Sequence, residues 1–179
     1  MRKKGGNCKF FNSKECGSKN YPIITIITST FNACNDLQWT IDSIRSQNYQ
    51  NIQWIVVDGG STDNTVKTLE DNEDVIDYWF SEPDKGIYDA WSKALKYAKG
   101  GWVQFIGAGD ELANSETLIN VSRFLVDAYP NYELVYGRIE IISEIDRVIL
   151  EKIGAPWDVM KNQWHGIRPA LPVHPEVFH

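Results

Sequence analysis

Beyond Tyr21 the apolar and polar positions change period repeatedly, and each change marks an element. Residues 23–28 (IITIIT) are a short, β-branched apolar run of the kind that forms a strand buried on both faces. Asn35 and Asp36 supply a helix start, and Leu37, Ile41 and Ile44 recur at helical spacing as far as Gln47. Residues 52–57 (IQWIVV) predict a second buried strand, closed by the turn Asp58-Gly59-Gly60-Ser61. A helix is expected over 63–72, a short third strand over 77–80, and a helix over 87–99 stopped by Gly100-Gly101. Residues 102–106 predict a fourth strand, and 115–129 a helix with Leu118, Val121 and Leu125 on one face. The strand starts near 23, 52, 78 and 102 lie 24 to 29 residues apart, the length of a βαβ unit. Strands alternating with helices predict an α/β fold, a mostly parallel sheet flanked by helices.

After residue 129 the pattern shortens. Segments 133–136, 139–143 and 148–152 predict a small antiparallel portion near the C-terminus, with Gly137 at a bend. Pro156, Pro169, Pro172 and Pro175 interrupt residues 154–179, which read as loop with one helical turn near 157–161 and no closing element. Residues 1–20 show no hydrophobic period and are expected to form a flexible tail, leaving 21–179 as one domain.

Composition narrows the function classes. Of 179 residues, 42% are hydrophobic and 23% charged, ordinary for a globular chain with one sizeable core. The net charge of -6 is uneven: residues 1–20 carry six basic side chains and one acidic, so the rest stands at -11. A body that acidic argues against a nucleic-acid partner. No run approaches a membrane span, and the N-terminus lacks the apolar stretch of a signal peptide. Cys8, Cys16 and Cys34 make no CxxC pattern, which points to a reducing, cytoplasmic compartment. Cys8 and Cys16 have no His nearby and read as two thiols rather than a metal site. The Lys/Arg cluster of the tail leaves open a peripheral contact with anionic lipid at the inner face of the plasma membrane.

In an open parallel sheet, ligands bind outside the carboxyl ends of the strands. Four loops lie there: 29–32, 58–63, 81–86 and 107–111. Asp58, Asp84 and Asp110, each 26 residues apart, should converge on that edge. Clustered carboxylates repel unless a cation joins them, and a hard divalent ion with a bound phosphate is the usual solution. Each acid also has a plain role: Asp58 in an Asx turn, Asp84 in a surface turn, Asp110 as a cap. Gly107-Ala108-Gly109 lacks the third glycine of a dinucleotide fingerprint. GxxxxGK[ST], HExxH and GxSxG are absent, and His165, His174 and His179 are too scattered to define a zinc site.

The segments IITSTFN (26–32), IVVDGGSTDNT (55–65), SEPDKGIYDAWSKAL (81–95) and GWVQFIGAGDEL (101–112) occur in one order, followed more loosely by LVYGRIE (134–140) and VHPE (173–176). Together they resemble family 2 of the inverting glycosyltransferases, nucleotide-diphosphosugar enzymes of the GT-A (Rossmann-like) fold, and within it a bacterial subgroup that builds surface polysaccharides. The resemblance implies that 21–179 form a GT-A domain truncated at its C-terminus. It implies that Ser29, Thr30 and Phe31 hold the nucleoside, with Phe31 offering a flat face to the base. Asp58 would accept a hydrogen bond from a ring N–H of a uracil-like base. Asp84, Lys85 and Gly86 would lie near the ribose and diphosphate, and Asp89 near the sugar. Lys85 reads equally as a solvated lysine.

Asp110 matches the family's acid that ligates Mn²⁺ or Mg²⁺, while Gly109 stands where another Asp is usual. His174 matches a second metal-side residue, although Pro175 replaces the Gln that follows it in the family. The general base comes from the later half of such domains, where Glu176 and Asp158 are the candidates. The reaction implied is inverting transfer from a nucleotide-diphosphosugar, a UDP-sugar by preference, to a glycan or lipid-linked acceptor hydroxyl. The cation would offset charge on the leaving diphosphate. Two alternatives stay open: a sugar-nucleotide-binding module without catalysis, and a nucleotidyltransferase. The second is disfavoured, because no Gly-rich, basic triphosphate loop follows the first strand.

Overall fold

In the computed structural model the residues described are 2–9, 17–18, 21–156, 159, 164–165, 168–169 and 177–179. The chain begins with β1 (Lys3–Gly5), β2 (Gly17–Ser18), β3 (Tyr21–Pro22) and β4 (Ile24–Thr30). Next come α1 (Asp36–Arg45), β5 (Ile52–Asp58), α2 (Thr65–Asp71), β6 (Tyr78–Ser81) and α3 (Ile87–Leu95). β7 (Trp102–Gly107), α4 (Thr117–Ala128), β8 (Val135–Tyr136), β9 (Ile139–Ile142) and β10 (Ile149–Ile153) follow. The last are β11 (Trp164–His165), β12 (Arg168–Pro169) and β13 (Val177–Phe178).

One seven-stranded sheet has the order β1-β6-β5-β4-β7-β13-β8. Its four central strands, β6, β5, β4 and β7, are parallel, as the βαβ spacing predicts. Their runs are apolar on both sides because helices cover both faces. On one face Ile24, Ile26, Trp54, Val56 and Trp79 pack with Leu37 and Ile41 of α1, Leu69 of α2, and Leu118 and Leu125 of α4. On the other, Ile27, Ile55, Val57 and Phe80 pack with Ala90, Trp91 and Ala94 of α3. Each large side chain so enclosed contributes about 1.5–3 kcal/mol of transfer free energy. The small antiparallel part near the C-terminus is the β9–β10 hairpin, in which Glu140 and Lys152 form a cross-strand ion pair at 2.5 Å.

The structure departs from the sequence reading at both ends. Lys3–Gly5, expected in a flexible tail, pairs antiparallel with β6. The N–H groups of Asn7 and Cys8 extend that pairing to Ile76 O and Asp77 O, both at 2.9 Å. An open edge strand offers a row of unmet backbone groups, and the first residues of the chain satisfy them. Val177 and Phe178, expected in an unclosed loop, form a strand between β7 and β8 and are only 3% and 5% exposed. Two-residue strands have no period to read; the pairing makes them. The helix over 87–99 ends early, at Leu95, and Tyr97 turns in to stack against Tyr78, ring centroids 4.8 Å apart. Asn35 occupies the N-cap of α1, but its side chain makes no capping bond. The helical turn expected near 157–161 falls, except for Val159, outside the described residues. Among the described residues no helix is long and apolar enough to cross a membrane.

Candidate functional site

The parallel register sets Thr30 beside Asp58, Asp58 beside Ser81, and Ser29 beside Gly107. The four loops named above therefore leave one edge of the sheet, and three of them are in contact. Gly59 N–H donates to Thr30 O (2.9 Å), Glu82 N–H to Asp58 O (3.0 Å), and Asn32 N–H to Ser61 Oγ (2.7 Å). Thr62 N–H returns a bond to Asn32 Oδ1 at 2.9 Å. A Cβ placed on Gly59 would stand 2.9 Å from Asp84 Oδ2 and 3.4 Å from Phe31 Cδ2, so the first three loops come together at Gly59. Phe31 itself is 61% exposed, its ring open to a ligand.

Asp58 is wholly buried. Its carboxylate accepts from Gly60 N (3.1 Å), Ser61 N (2.9 Å), Ser61 Oγ and Ser81 Oγ (2.5 Å). Three of those bonds converge on Oδ2 and one, from Ser61 Oγ, on Oδ1. In this conformation Asp58 builds the loop, and its carboxylate is closed off from solvent. Beside it, Thr30 Oγ1 is buried and has no hydrogen-bond partner among the described residues. An orphaned buried hydroxyl at the mouth of a sheet awaits a polar group.

The third loop is held from α3. Asp84 Oδ1 accepts from Gly86 N at 2.8 Å, so the surface turn read in the sequence is closed by an Asx-type bond. Asp89 Oδ2 accepts from Lys85 N and faces Lys93 Nζ, each at 3.0 Å. The hydrogen bond from Lys93, then that from Lys85 N, holds the Asp89 carboxyl below the usual carboxylate range. Lys85 is exposed, and its ammonium makes no hydrogen bond or ion pair among the described residues.

At the fourth loop Asp110 Oδ2 accepts from Gly107 N (2.7 Å), and burial pushes its carboxyl up. Gly109 has φ +98, a left-handed conformation in which an Asp side chain is strained. Buried Thr40 of α1 braces the turn, accepting from Gly109 N (2.9 Å) and donating to Asp110 O (2.8 Å). From the β9–β10 hairpin Arg147 pairs with Glu111 and lies 4.6 Å from the Trp39 ring centroid. Among the described residues no three His, Cys, Asp or Glu side chains gather to hold a metal ion. Asp110 supplies one carboxylate, which fits a Mg²⁺-type site that takes its other oxygens from phosphates and water.

Glu176, Asp158 and His174 lie outside the described residues, as does Cys16. Sequence reading missed Lys93, Thr40 and Asp63. Lys93 had a signal, its i,i+4 spacing from Asp89. Asp63 sits between two turn residues, and the Thr65 hydroxyl holds its carboxyl down to about 2. Thr40 had no signal beyond being polar within an apolar stripe.

The model of glycosyl transferase family 2 matches residues 25–144. An uncharacterized glycosyltransferase of Mycobacterium tuberculosis is 34% identical over 71% of this chain and 49% of its own length. The Escherichia coli UDP-Glc:alpha-D-GlcNAc-diphosphoundecaprenol beta-1,3-glucosyltransferase WfgD is 31% identical over 79% of this chain and 54% of its own. The chain thus spans about half the length of the curated relatives it matches. Among solved structures, S. aureus TarS 1-349 in complex with UDP-GlcNAc superposes with a TM-score of 0.64 at 18% identity, covering 87% of this chain and 44% of that one. The mannosyltransferase PcManGT of Pyrobaculum calidifontis, in complex with GDP-Man and Mn²⁺, gives 0.60 at 24% identity, covering 78% and 39%. These likenesses show the same GT-A fold. On the family match and the two relatives above 30% identity, this chain belongs to glycosyl transferase family 2.

Proposed function

We propose that this chain binds a nucleotide-diphosphosugar at the carboxyl edge of its sheet and transfers the sugar, with inversion, to an acceptor hydroxyl in surface glycan assembly. The observation that carries the reading is the meeting of Thr30, Phe31, Gly59 and Asp84 at one point, where the buried Thr30 hydroxyl and the adjoining Lys85 ammonium have no partner among the described residues. Phe31 offers a stacking face for the base, and Lys85 a cation for the diphosphate. A UDP-sugar is favoured because the E. coli relative is named for UDP-Glc and TarS is bound to UDP-GlcNAc.

Mn²⁺ or Mg²⁺ would be held by Asp110 with oxygens of the diphosphate, and by His174; the PcManGT complex with Mn²⁺ supports the choice. Such an ion, when bound, offsets charge on the departing diphosphate. Asp89 would orient the sugar, and Glu176 or Asp158 would take the acceptor's proton. The acceptor is a glycan or lipid-linked hydroxyl, met in the cytoplasm or at the inner face of the plasma membrane.

Incubation with a panel of nucleotide sugars, Mn²⁺ and lipid-linked glycan tests this. Release of free nucleoside diphosphate together with a lengthened glycan is expected. Tight binding without turnover favours a non-catalytic module, which Gly109 motivates, and pyrophosphate release favours a nucleotidyltransferase.

A further inference from the structure

The cations along the third loop are of two kinds. Lys93 is saturated: its ammonium meets Asp89 Oδ2 at 3.0 Å, Pro83 O at 3.2 Å and Glu82 Oε1 at 3.3 Å. Three protons and three acceptors leave it nothing to offer a ligand. Glu82 is faced from its other side by Arg2 Nε at 3.6 Å, and the Arg2 guanidinium lies 4.0 Å from the Phe80 ring centroid. Arg2, just ahead of β1, thus closes a network that runs through Glu82 and Lys93 to Asp89. Lys85, next to that network, keeps an ammonium with no partner among the described residues.

We propose that Lys93 is a positioning residue for the anionic part of the ligand: by occupying Asp89 and Glu82 and tying the Pro83 carbonyl to α3, it keeps Lys85 unpaired for a diphosphate. The inference rests on reading this edge as a nucleoside-diphosphate site. Without Lys93, Asp89 would be a bare carboxylate whose oxygen already touches the Lys85 backbone N–H. The Lys85 ammonium, whose charge already favours the ionised Asp89 carboxyl, then pairs with it in competition with the diphosphate. Lys93 acts by removing that competitor and touches no ligand atom.

The test measures UDP (with Mn²⁺) and uridine binding by calorimetry on the full chain and its variants. Lys93→Met should weaken UDP about tenfold while uridine changes less than twofold, because only the diphosphate meets Lys85. Lys85→Met should do the same, and the Lys85→Met/Lys93→Met double variant should lose little more than either alone. Adding Asp89→Asn to Lys93→Met should restore UDP affinity, since it removes the rival carboxylate. A merely structural Lys93 would give no such rescue. Carbon-13 NMR of the Asp89 carboxyl should show its titration rising in Lys93→Met, and thermal melts confirm that each variant is folded. Wild-type affinity in Lys93→Met, equal losses for uridine and UDP, or failed rescue by Asp89→Asn overturns the inference and leaves the proposed function standing. A wild-type chain that binds no nucleoside diphosphate overturns both.

Discussion

Thr30 and Asp58 are register neighbours at the ends of β4 and β5, and their polar atoms are treated in opposite ways. The Asp58 carboxylate accepts four hydrogen bonds, whereas Thr30 Oγ1 has no partner among the described residues. Asp58→Ala leaves two backbone N–H groups and two hydroxyls without their acceptor, so denaturant unfolding should show a loss of about 2–4 kcal/mol. Equal stability would mean that Asp58 is held for a ligand and not for the loop. Thr30→Val keeps the shape and removes the orphan, so stability should rise by about 1 kcal/mol while UDP affinity falls. Asp63 gives the pH counterpart. Its carboxyl lies at about 2 against an ordinary 3.8, held there by the Thr65 hydroxyl. A depressed carboxyl contributes stability that is present above 3.8 and lost as pH falls toward about 2. Melting temperature should therefore drop more steeply across that window in the wild type than in Asp63→Asn. Much of this chemistry was legible locally: Asp58-Gly59-Gly60-Ser61 and Asp84-Lys85-Gly86 announce turns that lie within three residues. Ser81 as a partner of Asp58 was not, because the two stand 23 positions apart in the sequence and meet only once the sheet forms.

Elements with a period were readable, and those made by pairing were not. β4 and β5 declare themselves by short runs rich in β-branched residues, and α1 and α4 by apolar stripes that do face the core. β1 and β13 carry no pattern, since a strand of two or three residues needs no amphipathic signal when its neighbour supplies the hydrogen bonds. Yet β13 has a structural role. Phe178 belongs to the same core cluster as Ile24, Trp54 and Leu118, and His179 exchanges two backbone bonds with Val103, at 2.8 and 2.9 Å. Phe178→Ala should cost about 3–5 kcal/mol, the usual price of deleting a buried aromatic. Ile145, 96% exposed in the turn of the β9–β10 hairpin, should tolerate Ala within about 0.5 kcal/mol. Comparable losses at the two positions would mean that Val177 and Phe178 are not integrated into the sheet.

Taken whole, the molecule has two unlike ends. At the carboxyl end of the strands, loops 29–36 and 58–65 are bonded to each other through Asn32, Ser61, Ala33, Thr65, Cys34 and Asp63. At the opposite end, a cavity of about 190 Å³ is lined by Lys9, Arg45, Gln47, Asp74 and Asp77. Arg45 is there spent on Asp74 at 3.0 Å and on Asn72 at 2.9 Å, and nothing about that cavity answers to a nucleotide. Cross-linked loops are pre-organised, so binding should tighten them without moving the sheet. Hydrogen exchange followed by mass spectrometry, with UDP and Mn²⁺, should show added protection in 29–36, 58–65, 81–89 and 107–111. The segments around Lys9, Arg45 and Asp74 should exchange as they do in the free chain, because the sheet's central strands are buried on both faces and already closed. Asp110→Ala should remove the Mn²⁺-dependent part of the protection at 81–89 and 107–111 while keeping what uridine alone confers at 29–36. Protection centred on the Arg45 cavity instead would relocate the ligand to the amino-terminal edge, and with it the whole assignment of the four loops.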